Sequence, residues 1–127
     1  MTFVTVVNCI DGMVQAPVID FLKKRFGVDY VDCITEASPV RILSGLTNRR
    51  QVQSILDRIE LSIVRHKSKA IAVVAHQDCV AGAADKAQLL EWLDISVKYL
   101  IGQYSTVETI GLWVDENLTV TEMFLHD

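Results

Sequence analysis

Short apolar runs alternate along this chain with longer stretches in which apolar residues recur every three or four positions. Residues 3–7, Phe-Val-Thr-Val-Val, form the first run and stop at Asn8-Cys9, as a strand buried on both faces does. Beyond Gly12, Pro17 is expected as the first residue of a helix. Val18, Ile19, Phe21, Leu22 and Phe26 give that helix an apolar stripe, and Gly27 gives it a stop. Residues 30–34 read as a second strand. Residues 35–48, broken by Pro39 and Gly45, read as loop with one helical turn.

The clearest helix follows. Thr47 or Asn48 can cap it, and Val52, Ile55, Leu56, Ile59 and Ile63 fall on one face. His66 and Lys67 suit the negative end of its dipole, which is the only role expected of His66. Residues 70–75 are a fully apolar third strand. Asp85 can cap a further helix, with Gln88 three residues on and Leu89, Leu93, Val97, Leu100 and Ile101 facing inward. Residues 107–114 give a fourth strand. A turn at Asp115-Glu116-Asn117 leads to a fifth, over residues 118–125, with the alternation of a half-exposed antiparallel edge; His126 falls in a frayed end.

This alternation predicts an α/β fold: a mostly parallel open sheet with helices on both faces. Right-handed crossovers favour the order 2-1-3-4, with strand five antiparallel at the edge beyond strand four. The winding then reverses between strands one and three, and ligands of such sheets bind just beyond the carboxyl ends of those two strands.

Composition narrows the function classes. A chain of 127 residues is expected as one domain, 1–127, and 50% hydrophobic residues are enough for a core. Against 16 Asp and Glu stand only 12 Lys and Arg, a formal net charge of −4, so nucleic acid is not an expected partner. No apolar run approaches the ~20 residues of a bilayer span, so no membrane is expected either. The first residues lack a positive leader and a cleavage site, and three cysteines make a disulfide framework improbable. A cytoplasmic, reducing location is the expectation.

The chemistry gathers at the predicted reversal. Strand one ends in Cys9-Ile10-Asp11-Gly12-Met13 and strand three in His76-Gln77-Asp78-Cys79. Two thiolates and an imidazole suit a borderline-soft ion such as Zn2+, with the fourth position for water or a carboxylate. The same residues also have a plain reading, in which Cys9 and Cys79 end core strands and His76 is a hydrogen-bonded core histidine. Cys33, inside the second strand, reads as core.

At these residues the sequence resembles the β-class carbonic anhydrases, whose Cys-x-Asp-x-Arg and His-x-x-Cys motifs end the first and third core strands. Cys9 and Asp11 match the first motif; His76 and Cys79 match the second. The stretches 9–17, 75–79 and 111–116 resemble a short, carbonic-anhydrase-like bacterial branch. The resemblance implies zinc held by Cys9, His76 and Cys79. Asp11 would act catalytically, holding a zinc-bound hydroxide for reversible hydration of CO2, or join as a fourth metal ligand. The family's arginine is replaced by Met13, which offers a carboxylate neither charge nor hydrogen bond. Arg41, Arg49 and Arg50 are the candidates to replace it. The expected function is therefore a zinc protein with weak CO2 hydration, and the small-molecule partner is CO2, bicarbonate or an analogue such as carbonyl sulfide. The alternative is a catalytically silent metal- or ligand-binding regulatory protein on the same fold. A homodimer or higher homo-oligomer is expected, with the apolar segment Leu112, Trp113 and Val114 as its edge.

Overall fold

The computed structural model describes residues 1–77 and 84–123. Its central sheet has five strands in the order β2-β1-β3-β4-β5: β1 (Phe3–Cys9), β2 (Tyr30–Glu36), β3 (Ala70–His76), β4 (Glu108–Val114) and β5 (Val120–Met123). The first four are parallel and β5 runs antiparallel to β4. This is the sheet order expected from the sequence. The helices are α1 (Gln15–Phe26), α2 (Pro39–Gly45), α3 (Arg49–His66) and α4 (Lys86–Gln103). No described helix is long and apolar enough to cross a membrane.

Strand alternation divides the core in two. Val4, Val6, Ala72, Val74, Ile110 and Leu112 pack with Val18 and Leu22 of α1 on one face. Val7, Ile71, Val73 and Trp113 pack on the other face with residues of α2, α3 and α4. Both faces of β1, β3 and β4 are therefore buried, which is why their sequences are largely apolar.

Local chemistry sets the boundaries. Gly27 ends α1 in the left-handed region at φ 62°, and its N–H donates to the Lys23 carbonyl. Asn48 caps α3 by accepting from the Gln51 N–H at 3.1 Å, and Asp85 caps α4 by accepting from Gln88 at 2.9 Å. Pro17 is not the first helical residue. A 3-10 turn over Gly12–Val14 has already bent the chain, so α1 starts at Gln15 and Pro17 falls in its first turn, where a missing N–H breaks no helical bond. Residues 35–48 hold more than one turn. Pro39 stands at the start of α2 as an initiator rather than a breaker, and Val40 and Leu43 anchor that helix in the core.

Five side chains lie elsewhere than the sequence suggests. Ile101 is exposed on α4, at the margin of the inward stripe. Cys33 is exposed, on the edge strand β2, where it lines a groove with Leu61 and Arg65 of α3. Leu112, Trp113 and Val114 are all buried: β4 runs between β3 and β5, so this segment is interior and forms no outer edge. His66 does end α3, but it also stacks on Phe3 with centroids 4.0 Å apart, and its Nδ1 lies 2.6 Å from Asp32 Oδ2.

Candidate metal centre

The strands part where the candidate residues sit. The β1–β3 ladder runs from Thr5↔Ile71 to Val7↔Val73 and no further, whereas β1 continues beside β2 to Cys9↔Glu36. Cys9 and His76 thus lie beyond the last shared pair, at the reversal of the winding. Both are buried: Cys9 is fully covered and His76 is 4% exposed.

Two amides that the sequence reading passed over shape the turn after Cys9. Asn8 Oδ1 accepts the Cys9 N–H at 2.8 Å, while its Nδ2 donates to the Val14 carbonyl at 3.3 Å. Gln15 Nε2 donates to the carbonyls of Cys9 and Asp11 at 2.7 and 2.9 Å. A wholly buried Asn in an otherwise apolar strand is the signal that could have found the first; such a group is retained only if its hydrogen bonds are made. Together the two amides fix the backbone that presents Cys9 and Asp11.

Asp11 is half-buried and caps the 3-10 turn, its Oδ1 accepting from the Met13 N–H at 3.0 Å. The Met13 side chain is 62% exposed. Asp11, Met13, Gln77, Asp115 and Glu116 join His76 around a pocket of about 110 Å³. On its other side His76 shares with Cys9 a tight cavity walled by Pro39, Val40, Val74 and Leu89. None of the candidate arginines lines either space. The Arg41 guanidinium stands 5.1 Å over the Trp92 ring, and Arg49 lines a separate groove with Leu46 and Tyr99. A larger groove, of about 660 Å³, lies along β2 and α3 and includes none of these residues.

Burial disfavours the charged His76 imidazole, but the neighbouring Cys9 thiol, the Gln77 backbone and the Asp11 charge outweigh it and leave the pKa above the usual histidine value. His76 Nε2 is buried without a hydrogen-bond partner among the described residues. A stranded imidazole nitrogen costs roughly 1–3 kcal/mol unless something satisfies it. Beside a cysteine, a soft or borderline metal ion is a chemically apt partner, so the residues present fit zinc. Among the described residues no three of His, Cys, Asp and Glu gather closely enough to hold an ion by themselves. Cys79, the remaining candidate, lies outside the described residues, as does His126. The structure thus brings Cys9 to His76, and sets Asp11 on the neighbouring pocket with one oxygen engaged in the cap.

Solved structures share this fold at low identity. A tetrameric β-carbonic anhydrase from Sordaria macrospora is 12% identical, with a TM-score of 0.57 over 96% of this chain and 80% of its own. A carbonic anhydrase from Streptococcus mutans is 18% identical, with a TM-score of 0.54 over 95% and 81%. One from Glaciozyma antarctica is 13% identical, with a TM-score of 0.56 over 94% and 80%. No curated protein matches the sequence. The family described as "Putative carbonic anhydrase" matches residues 1–124, nearly the whole chain, with Cys9, Asp11, His76 and Cys79 all inside the match. The chain belongs to that carbonic anhydrase family and has the β-carbonic anhydrase fold.

Proposed function

We propose that this protein holds a zinc ion on Cys9, His76 and Cys79, with Asp11 as the fourth group, and that its candidate reaction is a weak reversible hydration of CO2. The observation that carries the reading is the buried His76 Nε2, without a hydrogen-bond partner among the described residues, beside Cys9 where β1 and β3 diverge. When bound, zinc supplies a Lewis acid able to activate water near neutral pH. The chain does the rest. Asn8 and Gln15 hold the turn that presents Cys9, the apolar wall of Pro39, Val40, Val74 and Leu89 keeps the thiol side dry, and Asp11 offers a carboxylate at the opposite side.

Weak turnover follows from the company Asp11 keeps. An arginine pairs with a carboxylate through two charge-assisted hydrogen bonds and can draw it off a cation. Here Met13 offers Asp11 a backbone N–H on one oxygen, and no arginine is among the described residues lining the pocket. With zinc bound, the Asp11 carboxylate would complete a Cys2HisAsp set with Cys9, His76 and Cys79. That arrangement favours the second reading, a silent metal-binding or regulatory protein. We place the protein in the cytoplasm, where thiols stay reduced, as a homodimer or higher homo-oligomer.

Metal analysis of the purified protein tests the reading. About one zinc per chain is expected, lost in Cys9→Ser, His76→Ala and Cys79→Ser and kept in Cys33→Ser. Stoichiometric zinc in all three ligand variants would rule the site out. Stopped-flow CO2 hydration then separates the two functions: slow turnover supports the enzyme, none at all the silent protein.

A further inference from the structure

Only one of the two spaces that meet at His76 suits the passage of an ion. The cavity towards Cys9 is apolar along Pro39, Val40, Val74 and Leu89 and has no room for a water molecule. A hydrated cation would lose its water there with nothing to replace it. The other pocket reaches the surface at the exposed Met13 and Glu116, and carries three carboxylates, those of Asp11, Asp115 and Glu116.

The register puts those charges beside the histidine. His76 pairs with Val114, and the Gln77 N–H donates to the Val114 carbonyl at 3.2 Å, so the turn starting at Asp115 stands next to the end of β3. Asp115 is held there, its Oδ1 accepting the N–H groups of Asn117 and Thr119, both at 2.9 Å. No Lys or Arg is among the described residues lining the pocket. Lys86 lies 5.4 Å over the Trp113 ring, which packs on the opposite face of the sheet. Into this one-signed setting falls the buried His76, its Nε2 without a hydrogen-bond partner among the described residues.

We infer that this pocket is the route by which a divalent cation reaches His76, and that Asp115 and Glu116 draw the ion in. The inference rests on the zinc reading above and adds a role for two residues that are not themselves ligands. A cleft lined by one sign of charge concentrates the opposite ion and raises its rate of arrival, an effect that salt removes.

The test is the rate at which metal-free protein takes up Zn2+ or Co2+, followed by stopped flow and set beside the equilibrium affinity. Glu116→Gln removes an exposed charge, and Asp115→Asn keeps an oxygen to hold the turn. At low ionic strength the double variant is expected to load about three- to tenfold more slowly, and Glu116→Lys more slowly still. In about 1 M salt, where the screening length is about 3 Å, the difference should vanish. Equal rates at low salt, or a deficit that salt leaves untouched, overturns the inference while the zinc reading stands. A protein that takes up no ion overturns both.

Discussion

Asp11 serves two purposes with one side chain, and substitutions can separate them. Its Oδ1 caps the 3-10 turn through the Met13 N–H, and its charge is what a zinc ion would use. Asp11→Asn keeps a good capping oxygen and loses the charge; Asp11→Ala loses both. In metal-free protein the alanine variant should therefore be about 1 kcal/mol less stable and the asparagine variant much closer to the parent, by urea denaturation. Zinc affinity, by competition with a chelator, should fall in both. Unchanged affinity in both would leave Asp11 a cap and nothing more. Asp29 offers a pH test away from the site. Its carboxylate accepts from the Thr2 backbone N–H and then the Thr2 hydroxyl, and these hold its pKa below the ordinary 3.8. A depressed carboxylate contributes stability that is present above the unfolded pKa and lost as pH falls through the folded value. Asp29→Asn should flatten that acid limb of a stability–pH curve; an identical limb would show that the clamp adds nothing. The placement of Cys9, Asp11 and His76 around the strand ends was legible because the strand ends themselves could be read from the apolar runs. Asn8 and Gln15 were not, since their work appears only once the turn has closed. Cys33 was misread because an edge strand and a central strand can share the same apolar spelling.

At the scale of elements, the close seat of α4 on β4 depends on a missing side chain. A Cβ added at Gly111 would come within 3.0 Å of Val97 Cγ2 and 3.3 Å of Leu93 Cγ. Both neighbours are fully buried, and Val97 is β-branched and stiff, so neither can swing into solvent. Gly111→Ala should therefore cost about 1–3 kcal/mol by overpacking, even though alanine suits a strand better than glycine. An unchanged denaturation midpoint would mean that α4 shifts without penalty. Such contacts lie across elements and leave no trace in a local pattern. What the pattern does carry is the ends: Asn48, Asp85 and Gly27 act as the caps and stop their residue types suggest. The element it understated was α2, where Pro39 and Gly45 look like breakers unless the helix lies between them.

For the molecule as a whole, the order of strands was legible because strand–helix alternation and crossover handedness leave few arrangements, but its exposed surfaces were not. Burying both faces of β4 makes its sequence look like an interface; only the completed sheet shows that the true edges are β2 and β5. These edges are unlike. Glu122 on β5 is tied to Arg25 of α1 at 2.8 Å, and the same guanidinium reaches Glu108 at 2.9 Å, so charge guards that side. Along β2 the outer edge carries seven residues with no Lys, Arg or Pro, and its Asp32 and Glu36 pair with His66 and Arg58 of α3. Beside it α3 exposes Leu61 at 59% and Val64 at 54%. A regular strand edge flanked by apolar side chains is prone to pair with another chain, and symmetric pairing would bring two such edges together. A homodimer, if the chain forms one, is predicted on this side. Light scattering should give twice the chain mass at micromolar concentration, and Leu61→Glu with Val64→Glu should weaken association at least about tenfold by placing like charges across the twofold axis. Ile101→Glu, on exposed α4, is the control that should leave the mass alone. If the parent stays monomeric at all concentrations, the dimer is absent; if the α3 double variant associates as tightly as the parent while Ile101→Glu does not, it lies across α4 instead.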